Sequence, residues 1–264
     1  MEEQEKLYPV IFEPEHYTVM GNNLVKGKQA MTVKEAKLLR LIITQVVKED
    51  KDFKTFQIKI TELADFMGIA PDNLYRDVPV MCKKLLRQVV EIKTGNSPKD
   101  RWKMFQWVNR AEYDGDGTIT FRLSDDLKPY ILNLSEYYTQ YQLKEVLSLS
   151  SFYAIRLYEL LKCESGLKCD KNSFEFSIEE LREFFECKTK YKQNRDFINK
   201  TIKIATEEIN RKTNLSLQAT LKIGTSKGNP ILGVSFETHW FENLEEKNKY
   251  ETWVTDFFEK KVAI

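Results

Sequence analysis

Residues 36–66 align without a gap on residues 154–184, so any fold for this chain must use one structural plan twice. Ala36, Leu39, Ile42 and Ile43 fall on Ala154, Leu157, Leu160 and Leu161, at the i, i+3, i+6, i+7 spacing of one helix face. Phe56, Ile58, Ile60, Glu62, Leu63 and Phe66 fall on Phe174, Phe176, Ile178, Glu180, Leu181 and Phe184. Those positions begin with the alternation of a short strand and then change to helical period. With one inserted residue, Arg76-Asp77 falls on Arg195-Asp196. A length of 264 residues leaves room for two domains, expected at 1–135 and 136–264.

The pattern predicts the same order of elements in each half: helix, short strand, helix, turn, longer helix, β-hairpin. In the first half these are 32–48, 56–60, 61–67, 72–90 and a hairpin within 89–123, whose turn signal is Tyr113-Asp-Gly-Asp-Gly-Thr118. In the second half they are 150–163, 174–177, 178–185, 190–212 and a hairpin within 214–238, with its turn at Gly224-Thr-Ser-Lys-Gly-Asn-Pro230. A linker helix is expected within 140–149, and an amphipathic helical tail of no evident role over 241–261. Short helix, tight turn and long helix make a helix-turn-helix, and a trailing hairpin makes it a winged one. The expected fold class is therefore α+β, with tandem winged-helix domains related by the internal repeat.

Charge is distributed unevenly over that plan. Lys and Arg total 41 against 40 acids, so the chain as a whole favours no charged partner. Yet eight Lys and Arg stand against three acids between Lys188 and Lys212, and the same counts recur between Arg76 and Lys103. The segment from Glu237 onward runs the other way, with seven acids against four lysines. Each half thus carries a basic stretch where a winged helix would meet the phosphates of a duplex.

A helical wheel over 190–210 gathers Phe197, Ile198, Ile202, Ile204, Ala205 and Ile209 on one side, with Lys192, Arg195, Asn199, Lys203 and Thr206 opposite. An apolar back of this kind packs on its own domain while the front can enter a major groove. There Arg suits guanine, Asn suits adenine, and Lys suits guanine or phosphate. An ordinary solvated helix face is the alternative. The position after a helix and turn, with a duplicate in the other half, favours the duplex. Lys190 and Lys200 join this candidate set, with Lys222 and Lys227 on the following hairpin as wing contacts.

The first-half helix is a poorer reader. Leu74, Val78, Cys82, Leu85 and Val89 form its expected buried stripe, and Arg76, Pro79, Val80, Lys83 and Arg87 its outer face. A proline inside a helix removes a hydrogen bond and kinks or ends it. Arg76, Lys83 and Arg87 are therefore expected to touch phosphates or a second protein, with Lys99, Arg101 and Lys103 as hairpin contacts.

Motifs that carry catalysis are missing. Neither G-x-x-x-x-G-K-[ST] nor G-x-G-x-x-G occurs, and Gly115 and Gly117 are explained by the hairpin turn. Cys82, Cys163, Cys169 and Cys187 form no C-x-x-C pair, which suits reduced, mostly buried thiols and no metal site. Two histidines, His16 and His239, one near each end, leave little for a triad or general base. Asp125-Asp126 before Leu127-Lys-Pro129 fits a turn or helix cap. No stretch nears the ~18 apolar residues of a membrane span, and the acidic start MEEQEKLYPV is no signal peptide. A soluble cytoplasmic protein without enzymatic activity or cofactor is expected.

Several ordered segments resemble the two-winged-helix, iteron-binding plasmid replication initiators often called the Rep_3 family. They are Val19-Met-Gly-Asn-Asn-Leu24, Met31-Thr32, Lys37-Leu38-Leu39, Ile119-Thr-Phe-Arg-Leu-Ser124 with Leu127-Lys-Pro-Tyr130, and Tyr138-Thr-Gln-Tyr-Gln-Leu-Lys-Glu-Val146. More specific are Ser151-Phe-Tyr-Ala-Ile-Arg-Leu-Tyr-Glu-Leu160, Ile178-Glu-Glu-Leu-Arg-Glu-Phe184, and Lys190-Tyr-Lys192 through Asp196-Phe197 to Glu208-Ile-Asn210. The resemblance spans 19–236, leaving 1–18 and 240–264 without a role. It implies binding to direct repeats at a plasmid origin, opening of an adjacent A·T-rich segment, recruitment of host helicase and initiator proteins, and a part in copy-number control. It also implies a monomer–dimer equilibrium with dimerisation centred on the first domain, no membrane partner, and Lys192, Arg195, Asn199 and Lys203 as principal base readers. Pro79 departs from the pattern. A tandem winged-helix transcriptional repressor, or a protein–protein interaction module without DNA binding, are the alternative readings.

Overall fold

The computed structural model describes residues 6–93, 101–226 and 228–262, with side chains described through Trp253. The chain divides into two compact units, one of Met1–Leu147 with Phe184–Glu186 and one of Ser148–Glu183 with Cys187–Ile264.

The first unit runs β1 (Leu7–Pro9), β2 (Tyr17–Gly21), α1 (Asn22–Lys26), α2 (Val33–Thr44), β3 (Thr55–Lys59), α3 (Ile60–Met67) and α4 (Pro71–Leu85). It continues with β4 (Val89–Lys93), β5 (Trp102–Gln106), β6 (Val108–Tyr113), β7 (Thr118–Leu123), α5 (Lys128–Ile131), β8 (Tyr138–Gln142) and α6 (Leu143–Leu147). The second unit runs α7 (Phe152–Ser165), β9 (Ser173–Ser177), α8 (Ile178–Phe184), α9 (Asn194–Ile198), a π turn over Asn199–Lys203, α10 (Ile204–Lys212), β10 (Leu215–Ile223), β11 (Ile231–Trp240) and α11 (Leu244–Val262).

Local chemistry starts and stops these elements. A capping box opens α2: Thr32 Oγ1 accepts from the Glu35 N–H at 3.3 Å and Glu35 Oε2 from the Thr32 N–H at 2.9 Å, a device worth about 1 kcal/mol. Gly68, at φ +64°, closes α3 in the left-handed conformation that only glycine adopts without strain. Pro71 then opens α4 at the one helical position that needs no N–H.

The repeat is visible in both the sheets and the cores. Strand order is β1-β3-β7-β6 in the first unit and β10-β11-β9 in the second, so β3-β7-β6 corresponds to β9-β11-β10. Ala36 and Ala154, Leu39 and Leu157, Phe56 and Phe174, Ile60 and Ile178, and Leu63 and Leu181 are all buried. Each matched pair holds the same place in two cores, giving an α+β chain of two winged helices.

Several elements differ from the sequence expectation. The hairpin expected within 89–123 is two hairpins: β4 pairs with β5, while β6–β7 is the counterpart of β10–β11. Helix α4 stops at Leu85, so Val89 lies on β4 and is exposed instead of extending the buried stripe. Pro79 does not break α4: the helix runs through it with the proline exposed, and Leu74, Val78, Met81, Cys82 and Leu85 keep a continuous buried face. The linker helix expected within 140–149 forms as α6, directly after strand β8. Since β8 pairs antiparallel with β2, the first unit extends past residue 136, where the sequence division falls.

Within the second unit, the helix after the turn is anchored to α7. Glu208 accepts from the N–H groups of Ser150 at 2.7 Å and Ser151 at 3.0 Å, and Lys212 Nζ reaches both Glu208 (2.6 Å) and Ser150 Oγ (2.8 Å). Burial raises the affinity of this carboxyl for a proton, but the Lys212 hydrogen bond and the two N–H donors prevail and hold it below the ordinary value of 4.5. A depressed folded-state value means that the contribution is complete above the unfolded value and fades as pH falls through the folded one. Glu208→Gln should therefore flatten the acid limb of the stability curve below about pH 4.5. Urea titrations at stepped pH will show this, and parallel acid limbs would refute the anchor.

Candidate nucleic-acid interface

The connection from α8 to α9 takes a tight path, with Glu186 (φ +53°) and Tyr191 (φ +54°) both left-handed. Such residues cost about 1–3 kcal/mol each and persist only where their surroundings hold them. Arg182 of α8 is the holder. Its Nη1 donates to the carbonyls of Cys187 (3.2 Å) and Lys190 (2.9 Å), and its Nη2 to that of Tyr191 (2.7 Å). Nε and Nη2 also donate to Asn194 Oδ1, at 3.3 and 3.1 Å, while the guanidinium lies 4.6 Å from the Phe197 ring centre. Asn194 Nδ2 in turn donates to the Ile231 carbonyl on β11 at 3.3 Å. One arginine therefore fixes the turn and the start of the following helix, and through Asn194 ties both to the wing.

From that start, α9, the π turn and α10 run on as one helical segment. Phe197, Ile198, Thr201, Ile202, Ala205, Glu208 and Ile209 are buried. Lys190, Lys192, Arg195, Asn199, Lys200 and Lys203 are all exposed, the first two ahead of the helix and the other four on it. Lys192, Arg195 and Asn199 line one open groove, and Leu221, Ile223, Pro230 and Ile231 of the wing form its other wall. Lys200 Nζ stands 5.5 Å from the Tyr191 ring centre, and Lys203 is 4.0 Å from Glu207.

Two assignments on the wheel are reversed. Thr206 is half-buried, its hydroxyl enclosed without a hydrogen-bond partner among the described residues, and so it leaves the front. Ile204, expected among the apolar back, is 47% exposed. Both positions flank the packed side: Phe197, Ile198, Thr201, Ile202, Ala205, Glu208 and Ile209 keep one helical phase across the π turn, and Ile204 and Thr206 lie at the two edges of that arc.

Other candidates are placed apart. Lys222 on β10 pairs with Glu175 of β9 at 2.5 Å, which neutralises much of what it would offer a phosphate. Lys227 and Lys99 lie outside the described residues. In the first unit, Arg76, Lys83 and Arg87 are exposed beside Tyr75, Pro79 and Val80, a face of mixed character. Arg76 Nε is 3.7 Å from Asp77, which also pairs with Lys34 at 2.7 Å. Arg101 precedes β5 and Lys103 lies on it, in the extra hairpin and not on the wing. The true wing of that unit, β6–β7, ends in Asp114 and Asp116. Asp114 Oδ1 accepts from the Asp116 and Thr118 N–H groups at 3.1 Å, and Asp116 Oδ1 from Thr118 at 3.0 Å.

Sequence reasoning found the basic face but missed Arg182, which lies in one of the motifs that carried the resemblance and gave no separate signal of its role. Among the described residues no group of three or more His, Cys, Asp or Glu could hold a metal ion, and no helix is long and apolar enough to cross a membrane. Cys82, Cys163 and Cys187 are buried free thiols and Cys169 is half-buried.

Comparisons with known proteins follow the two units. A family model described as the WH1 domain of initiator replication proteins matches residues 17–162, and one for the WH2 domain of initiator Rep proteins matches residues 177–238. A crystal structure of the Pi initiator protein in complex with iteron DNA superposes with a TM-score of 0.67 at 19% identity, covering 87% of this chain and 99% of that one. That likeness is one of fold. The WH1 domain of a replication protein isolated from a multiple sclerosis patient covers 37% of this chain and 76% of its own, at TM-score 0.28 and 14% identity.

Proposed function

This chain belongs to the initiator replication protein family, and from that premise we propose that it starts plasmid replication by binding direct repeats of duplex DNA at the origin. The observation that carries the proposal is the groove between the reading helix and the wing, lined by Lys192, Arg195 and Asn199, with Lys200 and Lys203 exposed further along that helix. Side chains of these types, on a helix narrow enough for the major groove, can both neutralise phosphates and address base edges. The second winged helix is the principal reader. The first supports it through phosphate contacts at Arg76, Lys83 and Arg87 and through self-association. Opening of an adjacent A·T-rich segment and recruitment of host helicase and initiator proteins complete the proposed role, and the Pi complex with iteron DNA supports repeats as the target class.

The test is a gel shift with the repeats that flank the gene, titrated with salt. Arg195→Ala and Lys203→Ala should each cost ~1–3 kcal/mol against the cognate repeat if they read bases. Equal weakening on random duplex would reduce them to phosphate contacts. Arg76→Ala and Lys83→Ala should lower the salt slope by about one unit each with little change in sequence preference. Binding that ignores salt, or no binding at all, would favour an interaction module with solvated basic faces.

A further inference from the structure

The groove between the reading helix and its wing has two unlike walls. Lys192, Arg195 and Asn199 line the helix side, while Leu221 and Ile223 of β10 and Ile231 of β11 line the wing side. Leu221 is 40% and Ile223 49% exposed, so this wall meets solvent and not a core. Strand alternation decides what faces the groove: β10 turns Leu221 and Ile223 toward it and the intervening Lys222 away, where it pairs with Glu175 at 2.5 Å. A bulge skips Leu232 and sets Ile231 directly across from Ile223. Single exposed aliphatics are ordinary on a protein surface. Here three adjoin one another and confront a row of cationic and amide side chains, with the wing's own cation turned to the other side of the sheet.

We propose that this groove holds one sugar–phosphate strand of the duplex, and that Leu221 and Ile223, packing on its deoxyriboses, determine specificity for DNA over RNA. This rests on the duplex-binding function proposed above and names the part of the duplex that lies in the groove. One backbone strand separates the major groove from the adjacent minor groove, so a helix in the first and a wing at the second have that strand between them. Its phosphates carry the charge that Lys192 and Arg195 complement. Its deoxyriboses present C–H surface, which suits an aliphatic wall. A ribose would bring a 2′-hydroxyl to the minor-groove side, against side chains that can neither donate nor accept a hydrogen bond. A hydroxyl enclosed without a partner weakens binding.

A ribose scan provides the test. The full chain first selects its tightest duplex from a randomised pool, and each deoxynucleotide of either strand is then replaced singly by the ribonucleotide carrying the same base. A short run of consecutive positions on one strand should each weaken wild-type binding about tenfold, the effect of one hydroxyl left without a partner, with the other positions near neutral. Leu221→Thr and Ile223→Thr give the wall a hydroxyl at exposed strand positions that threonine suits, and thermal melts confirm that both variants are folded. At the sensitive positions at least one of them should bring the ratio between deoxy and ribo duplexes below about threefold. A sensitivity that persists in both variants belongs to the shape of the duplex and overturns the role of the wall. A scan without any sensitive run overturns it too, and in either case sequence-selective binding stands. Failure to select any duplex overturns the duplex reading as well.

Discussion

Arg182→Ala should lose more than tenfold in duplex affinity although the side chain reaches no part of the basic face. The guanidinium makes five hydrogen bonds, three of them to carbonyls of the turn that contains Glu186 and Tyr191 in left-handed geometry. Hydrogen bonds to a charged group contribute about 1.5–3 kcal/mol net, and the strain of the two left-handed residues is no longer opposed once they are gone. We expect the second unit to lose about 2–3 kcal/mol of stability. The start of the reading helix should also lose its order, since Asn194 would have lost the partner of its Oδ1. Arg182→Lys should rescue little, because a point ammonium cannot span three carbonyls and an amide as a planar fork does. Thermal melting combined with gel shift at fixed salt measures both effects. A variant that melts and binds as wild type would show that the turn holds itself.

The second large effect is expected at Lys247, at the start of the C-terminal helix. This lysine is fully buried. Its ammonium donates to the carbonyl of Asn210, to that of Thr213 at 3.3 Å and to that of Leu215 at 2.7 Å. It thereby caps the last turn of α10 and the entry to β10, where free carbonyls and the helix dipole both favour a cation. Lys247→Met preserves most of the volume but removes a charged donor from three carbonyls at a buried point, at a cost of about 3 kcal/mol. The second unit should melt on the order of 10 °C lower. Lys249→Met on the same helix is the contrast: its pair with Glu245 is short, at 2.7 Å, but both side chains are about three-quarters in solvent. Its loss should leave the melting temperature unchanged. If the two variants behave alike, the cap has no energetic meaning.

Lys247 also shows where sequence reading ends. The tail carried a helical pattern, and a helix over Leu244–Val262 is what forms. Nothing in the pattern distinguishes Lys247 from Lys249, because the difference lies in which carbonyls the fold brings to each. The repeat was legible for the opposite reason: Leu39 and Leu157, or Phe56 and Phe174, are apolar because each fills the same place in a core, and burial leaves its mark on residue type. The basic face was legible through its charge. Strands β2 and β8 were not, since their pairing joins Tyr17–Gly21 to Tyr138–Gln142 across most of the first unit, and local alternation does not encode so distant a partner. The positions of Ile204 and Thr206 escaped because both lie at the edges of the buried arc, where a wheel divides the two sides least sharply.

The tip of β6–β7 has its own consequence for how the doubled architecture diverged. Asp114 and Asp116 are held in place by the loop's own N–H groups, so the first unit leads with fixed negative charge at the very point where its twin carries a glycine- and asparagine-rich bend. Two carboxylates brought alongside a polyanion repel it at any salt low enough for the Debye length, about 8 Å near physiological strength, to exceed the gap. The first unit thus keeps the outline of its twin while presenting carboxylates where a groove-binding finger would have to approach phosphates.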